Sequence, residues 1–255
     1  MNLDLDQLTM PAISKTGLKI LSMLSGNHFD VAKLSETISQ DLILTATLIR
    51  YANSPMYRSR VEVMNIRNAI SLLGLNNVRM AVVVVSMRSW RTGVKTPLVE
   101  STWQHCQTIS TLSKLIALKA VPRVANDVQL TGLMHDLCVC VLTTTFPDTP
   151  LDTLEPSHFV AVSQHCIKTF RLPEDVGQAI VDYHNGCLLS DIDVPSNAHL
   201  AIISMAHYVA QQAIQPPQNR PETPANARQN LMTLLNLQED DLGHIAQQFG
   251  ELATV

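Results

Sequence analysis

The chain has 255 residues, 46% of them hydrophobic and 16% charged, with a formal net charge of -4. That material suits one large domain or two lobes sharing a core, excludes disorder of the whole chain, and argues against a protein that coats nucleic acid over its entire surface. The longest apolar run, MAVVVVSM at residues 80–87, is far short of the roughly 20 residues of a membrane-spanning helix. The acidic start MNLDLDQLTMP lacks the charged-then-apolar order of a signal peptide, so no membrane insertion and a cytoplasmic location are expected. Five cysteines without a disulfide-framework spacing fit a reducing compartment. Only 9 glycines and 4% aromatics, among many Leu, Ala, Met and Gln, favour an all-α fold, because straight-chain side chains lose little rotamer freedom in a helix.

Helical punctuation begins at once. SKTGLKILSMLSG sets Leu18, Leu21 and Leu24 near helical spacing and stops at Gly26. DVAKLSETIS follows with Asp30 as N-cap and Val31, Leu34 and Ile38 on one face, and DLILTATLIRYANS starts at Asp41 and ends at the turn NSP. IRNAISLLG and NNVRMAVVVVSMRSW complete a first lobe of about five helices over residues 8–95; VVVV has no partner strand nearby and reads as buried helix.

The loop at 92–97 opens a second lobe, residues 96–212. LVESTWQHCQTISTLSKLIALKA is a long helix ending before Pro122, and NDVQLTGLMHDLCVCVLTTTF reads as one continuous helix at the centre of a bundle. A further helix begins at Pro156-Ser157, another has Pro173 in its first turn, and SNAHLAIISMAHYVAQQAI is the last of the lobe. Residues 213–226 hold a proline-rich linker, and residues 227–255 form a tail of two short helices.

Candidate chemistry gathers in the second lobe. His105, His135, His165 and His184 fall on different expected helices, which antiparallel packing would bring together. With Asp136 they supply the imidazoles and carboxylate that a Zn, Fe or Mn site requires. The i, i+3 pairs His135/Cys138 and His184/Cys187 offer a second way to chelate or to sense redox state, against the plainer reading of cysteines as small core residues. Dinucleotide-binding, phosphate-loop, serine-hydrolase and HExxH signatures are absent. A separate feature is the basic stretch from 50 to 95, in which Arg50, Arg58, Arg60, Arg67, Arg79, Arg88, Arg91 and Lys95 face the single acid Glu62. Its alternatives are an anionic-partner surface and ordinary solvated helix faces.

The residues Gln40-Asp41, Leu44-Thr45, Arg50, Ala52-Asn53-Ser54, Tyr57, Ala69-Ile70 and Leu73-Gly74, followed by Trp103, His105, GLMHD, Leu172-Pro173 and IVDYHN, resemble the HDOD domain family over roughly residues 8–212. The resemblance implies an N-terminal helical lobe packed on an HD-like helical bundle. It also implies a bacterial signalling or regulatory protein, related to the HD phosphohydrolases but generally regarded as lacking their activity. In active HD enzymes a His, a His-Asp pair and a later Asp hold a metal that activates water. Those positions fall here on His105, on His135-Asp136 and, for the last, on His207.

Two departures from the HD-GYP enzymes, which cleave cyclic di-GMP, are plain. Leu137-Cys138-Val139 replaces the stretch that carries a lysine after the pair, and His184-Asn185 stands where a tandem HH belongs. The expectation is therefore a non-catalytic protein with no required cofactor, a degenerate site at His105, His135, Asp136, His165, His184 and His207, and a signalling protein or nucleotide as partner. One rival is a phosphohydrolase that keeps Fe, Mn or Zn at those residues. Another is a binder of nucleic acid or acidic protein through Arg50, Arg58, Arg60, Arg67 and Arg79.

Overall fold

The computed structural model describes residues 4–25, 30–57, 62–94, 96–186, 198–213 and 225–253, and among these residues every regular element is a helix. The first five are α1 (Lys15–Leu24), α2 (Val31–Ser39), α3 (Leu42–Ala52), α4 (Ile66–Leu73) and α5 (Leu75–Gly93). Their starts follow local chemistry. The Asp30 carboxylate accepts from the amides of Ala32 and Lys33, the Asp41 carboxylate from those of Ile43 and Leu44, and Ser14 Oγ from that of Gly17, each satisfying donors that a first turn leaves unpaired. The capping residue after α1 is Ser25; the expected stop, Gly26, lies outside the described residues.

Asn53 does more than end α3. Its Nδ2 donates to the carbonyls of Ile49 at 3.1 Å and Val63 at 2.8 Å, and its Oδ1 accepts from the Val63 amide at 2.8 Å, closing the loop between α3 and α4. Gly74 then turns the chain by 110° between α4 and α5 at φ 78, a left-handed conformation that a side chain would strain. The valine run lies inside α5 as expected, with Val82 and Val83 buried. No single described helix is long and apolar enough to cross a membrane.

The second half contains α6 (Pro97–Ala120), α7 (Ala125–Met134), α8 (Leu137–Thr145), α9 (Pro156–Thr169), α10 (Glu174–His184), α11 (Ala198–Ala213), α12 (Ala225–Leu234) and α13 (Glu239–Ala253). The expected single helix through GLMHDLCVC is in fact two, parted at His135-Asp136, where Asp136 adopts φ -109 and ψ 16. Pro173 is the residue before α10 rather than part of its first turn. Residues 214–224 of the proline-rich segment lie outside the described residues.

Two apolar clusters hold the helices together. One runs from α1–α5 through Val99 and Trp103 of α6 into α7–α10; the other joins the rest of α6 and the start of α7 to α11, α12 and α13. The C-terminal helices are thus part of a core, with Leu231, Leu235 and Ile245 buried in it. α6 and α7 meet closely at Gly132, where a Cβ would stand 2.8 Å from Ser110 Cα and 2.9 Å from its nitrogen. Ser110 Oγ donates to the Gln129 carbonyl across the same contact at 2.7 Å. Gly132→Ala is expected to force these backbones apart and cost about 1–3 kcal/mol of stability, measured by urea denaturation.

Lys114, on α6, is buried with its Nζ 3.8 Å from the centre of the Tyr57 ring. Burial pushes its ammonium down to about 7 from the ordinary 10.5. Below that value both folded and unfolded chains carry the proton. Between pH 7 and 10.5 the folded chain has released it while the unfolded chain keeps it, so stability rises with pH across this window. Lys114→Met is expected to raise stability near neutral pH and to flatten that rise, which denaturation midpoints at neutral and alkaline pH will show.

Candidate functional site

The break between α7 and α8 places His135 and Asp136 between two other helices. α6 brings His105 from one side, and α11 brings His207 from the other. One ring nitrogen from each of the three histidines lies within 4.8 Å of the other two. The His105 and His207 Nε2 atoms are 3.2 Å apart. Asp136 Oδ2 stands 3.3 Å from His135 Nε2 and 3.9 Å from His105 Nε2.

Backbone carbonyls fix how two of these rings are protonated. His135 Nδ1 donates to the Gly132 carbonyl at 2.7 Å, and His207 Nδ1 donates to the Ile203 carbonyl at 2.9 Å. A carbonyl only accepts, so both rings carry a proton on Nδ1, which in a neutral imidazole leaves Nε2 as the nitrogen able to ligate. His135 is fully buried, and its Nε2 has no hydrogen-bond partner. A buried ring nitrogen left without a hydrogen-bond partner is costly.

α10 closes the far side. Tyr183 stacks on the His207 ring at 5.3 Å and 21°, with its hydroxyl 3.3 Å from His207 Nε2. His184 Nε2 donates to the His135 carbonyl at 2.6 Å, with Cys138 Sγ at 3.2 Å and Asp136 Oδ1 at 3.9 Å. The Phe159 ring covers His184, stacked at 5.9 Å and 14°. The donor set of three imidazoles and one carboxylate fits a divalent ion of the Zn, Fe or Mn class, and the orphaned His135 Nε2 is the feature that such an ion would satisfy. The carbonyl bonds behind His135 and His207 are the outer support that metal-bound histidines usually have.

The HDOD domain family profile matches residues 10–183. The chain belongs to the HDOD family. No curated protein matches it. Among solved structures it is similar to an HDOD domain protein of unknown function from Geobacter sulfurreducens, at 17% identity over 97% of this chain and 95% of that one, with a TM-score of 0.63. A protein from Shewanella amazonensis SB2B, provisionally named a metal-dependent phosphohydrolase, gives 17% identity over 96% and 93%, with a TM-score of 0.67. One from Marinobacter aquaeolei VT8, provisionally named a signal transduction protein, gives 18% identity over all of this chain and 59% of that one, with a TM-score of 0.62. At these identities the likeness is one of fold.

Within the HDOD fold, the residues singled out from the sequence separate. His105, His135, Asp136 and His207 converge, with His184 beside them. His165 does not join them: it is exposed on α9 and lines a groove with Lys168, Glu174 and Gln178, because Val162 and Cys166 take the inward face of that helix. Arg79 is not a surface cation either. It is 5% exposed and donates to the carbonyls of Leu24, at 3.2 Å, and Arg171. Arg50 and Arg67 are exposed, whereas Arg58, Arg60, Lys95 and Cys187 lie outside the described residues. Cys138, Cys140 and Cys166 are buried, and desolvation holds Cys138 well above the usual thiol range and pushes the other two up to about 12. They act as core residues rather than reactive thiols.

The sequence reading missed Tyr183 and Phe159, and it assigned Cys138 to His135 when its neighbour is His184. Only the adjacency of Tyr183 to His184 in IVDYHN pointed that way. The His184 bond to the broken helix is testable by itself. His184→Ala leaves the buried His135 carbonyl without its donor, and a stability loss of about 1–3 kcal/mol is expected in urea denaturation.

Proposed function

We propose that this HDOD chain is a non-catalytic regulatory protein of bacterial signalling, cytoplasmic, and acting by binding a protein or small-ligand partner rather than by turnover. The observation that carries this reading is His207. The HD resemblance places a carboxylate there, and here an imidazole occupies the position with its proton locked on Nδ1 and its Nε2 turned to His105.

A divalent ion of the Zn, Fe or Mn class would be held by Nε2 of His105, His135 and His207 and by the Asp136 carboxylate. When bound, it would supply positive charge beside Asp136. An active HD site is also built from four protein donors, but its last donor is a carboxylate where this chain has the His207 imidazole. His184, the remaining imidazole nearby, gives its Nε2 proton to the His135 carbonyl. The residues after the pair, Leu137-Cys138-Val139, bring no cation for a phosphate. Such a centre ties α6, the α7/α8 break and α11 together, which is a structural role.

The survival of four converging donors also favours a second reading, a metal-dependent phosphohydrolase. The two part in one experiment. The full chain is loaded with Zn, Mn or Fe(II), its metal content is measured, and it is then given bis(p-nitrophenyl) phosphate and cyclic di-GMP. Stoichiometric metal that is lost in Asp136→Ala, with no hydrolysis of either ester, is the expected result. Hydrolysis that disappears in Asp136→Ala would overturn the regulatory reading and establish the enzyme.

A further inference from the structure

A second site lies away from the histidines. A cavity of about 540 Å³ opens between α3, α5, α6, α7 and α13, within the range of roughly 300–1,000 Å³ typical of small-molecule sites. None of the clustered histidines lines it. Its walls are Tyr51, Tyr57, Met56 and, from the C-terminal helix, Phe249. These supply flat, polarisable surface for a ring.

Two polar groups give the cavity direction. Gln129 is only 6% exposed, and its Oε1 has no hydrogen-bond partner; its Nε2 meets only the Met56 sulfur, at 3.7 Å. Sulfur is a weak acceptor, so this buried carboxamide, which belongs to a residue of the cavity lining, is underused at both ends. The backbone of Gln129 is tied to α6, since its carbonyl takes the Ser110 hydroxyl at 2.7 Å. A carboxamide is satisfied by a ligand edge with an N–H donor next to an acceptor, the edge through which Gln reads adenine. Guanine offers the same pattern with its ring N–H and carbonyl. Arg50, exposed at the end of α3, places a guanidinium on the same lining, where it suits a phosphate.

We propose that this cavity binds a purine nucleotide, with the base between the aromatic walls and paired to Gln129, and with its phosphate on Arg50. The bound nucleotide joins the first lobe to α13 through Phe249. It also touches α6, where Gln107 lies shortly after His105, and α7, where Gln129 lies shortly before the break at His135. The site goes beyond the regulatory reading and does not depend on it.

The test is isothermal titration of the full chain with AMP, GMP and ribose 5-phosphate, followed by hydrogen exchange across residues 239–253. AMP or GMP is expected to bind in the micromolar range, with ribose 5-phosphate at least roughly tenfold weaker and with added protection in α13. Arg50→Ala and Gln129→Leu are each expected to weaken the nucleotide roughly tenfold, as loss of one charged or buried hydrogen bond does. If Gln129→Leu fails to fold, Arg50→Ala and the half-buried Phe249→Ala decide. Absence of binding by both nucleotides at millimolar concentration overturns the proposal, as does equal binding of ribose 5-phosphate. Binding that ignores Arg50→Ala but vanishes in His135→Ala would place the nucleotide at the histidines and also overturn it. All these outcomes are read without turnover, so they stand apart from the phosphodiester assay.

Discussion

The hydrogen bond from His184 to the carbonyl of His135, at 2.6 Å, is the interaction on which the rest of the site depends. A continuous helix through residues 126–146 would have spent that carbonyl on an amide one turn later and pointed His135 and Asp136 in directions set by helical phase. Breaking the helix frees the carbonyl, and a buried carbonyl must find a donor. The imidazole of α10 provides it. With the carbonyl satisfied from outside the helix, Asp136 sits in a bent junction where its two oxygens reach toward His184 on one side and toward His135 and His105 on the other.

Much of the fold was written in local signals. Asp30 and Asp41 start helices because a short carboxylate reaches two unpaired amides, an effect confined to four residues of chain. Asn53 was legible as a stop for the same reason, although its second role, pairing both ways with Val63 across the loop, depends on a contact ten residues away. The valine run was correctly read as helix because strands need partners and none was near. The break at His135-Asp136 was not legible, since GLMHDLCVC contains no proline and its only glycine sits where α7 packs on Ser110. The break is chosen by the tertiary donor on α10.

The candidate site divides in the same way. His105, His135, Asp136 and His207 could be placed by resemblance because sequence marks along the chain, GLMHD above all, assign each a position. His165 was misplaced because lying on a second-lobe helix says nothing about which face it occupies, and on α9 the inward face belongs to Val162 and Cys166. Arg79 was misread for a related reason. A guanidinium in a basic stretch looks like surface, yet its long apolar stem and fork of donors let it reach two backbone carbonyls in the interior.

The cluster and the cavity differ in the one property that separates holding from sensing. The cluster is walled in by Tyr183 and Phe159, and its donors come from helices already fixed by core contacts, so an ion there would reinforce an arrangement the chain has adopted. The cavity is bounded by elements of both apolar clusters: α3 and α5 belong to the first, α13 to the second, and α6 and α7 to both. An occupant shifts a protein only by binding one arrangement better than another, and only a site whose walls belong to separately packed units has arrangements to choose between. The close α6–α7 contact at Gly132 and Ser110 limits that choice, because backbones packed so tightly that a Cβ on Gly132 would stand 2.8 Å from Ser110 Cα move as one body. Any adjustment to an occupant is therefore left to α3, α5 and α13, which carry Arg50 and Tyr51, Met80 and Val84, and Phe249 in turn.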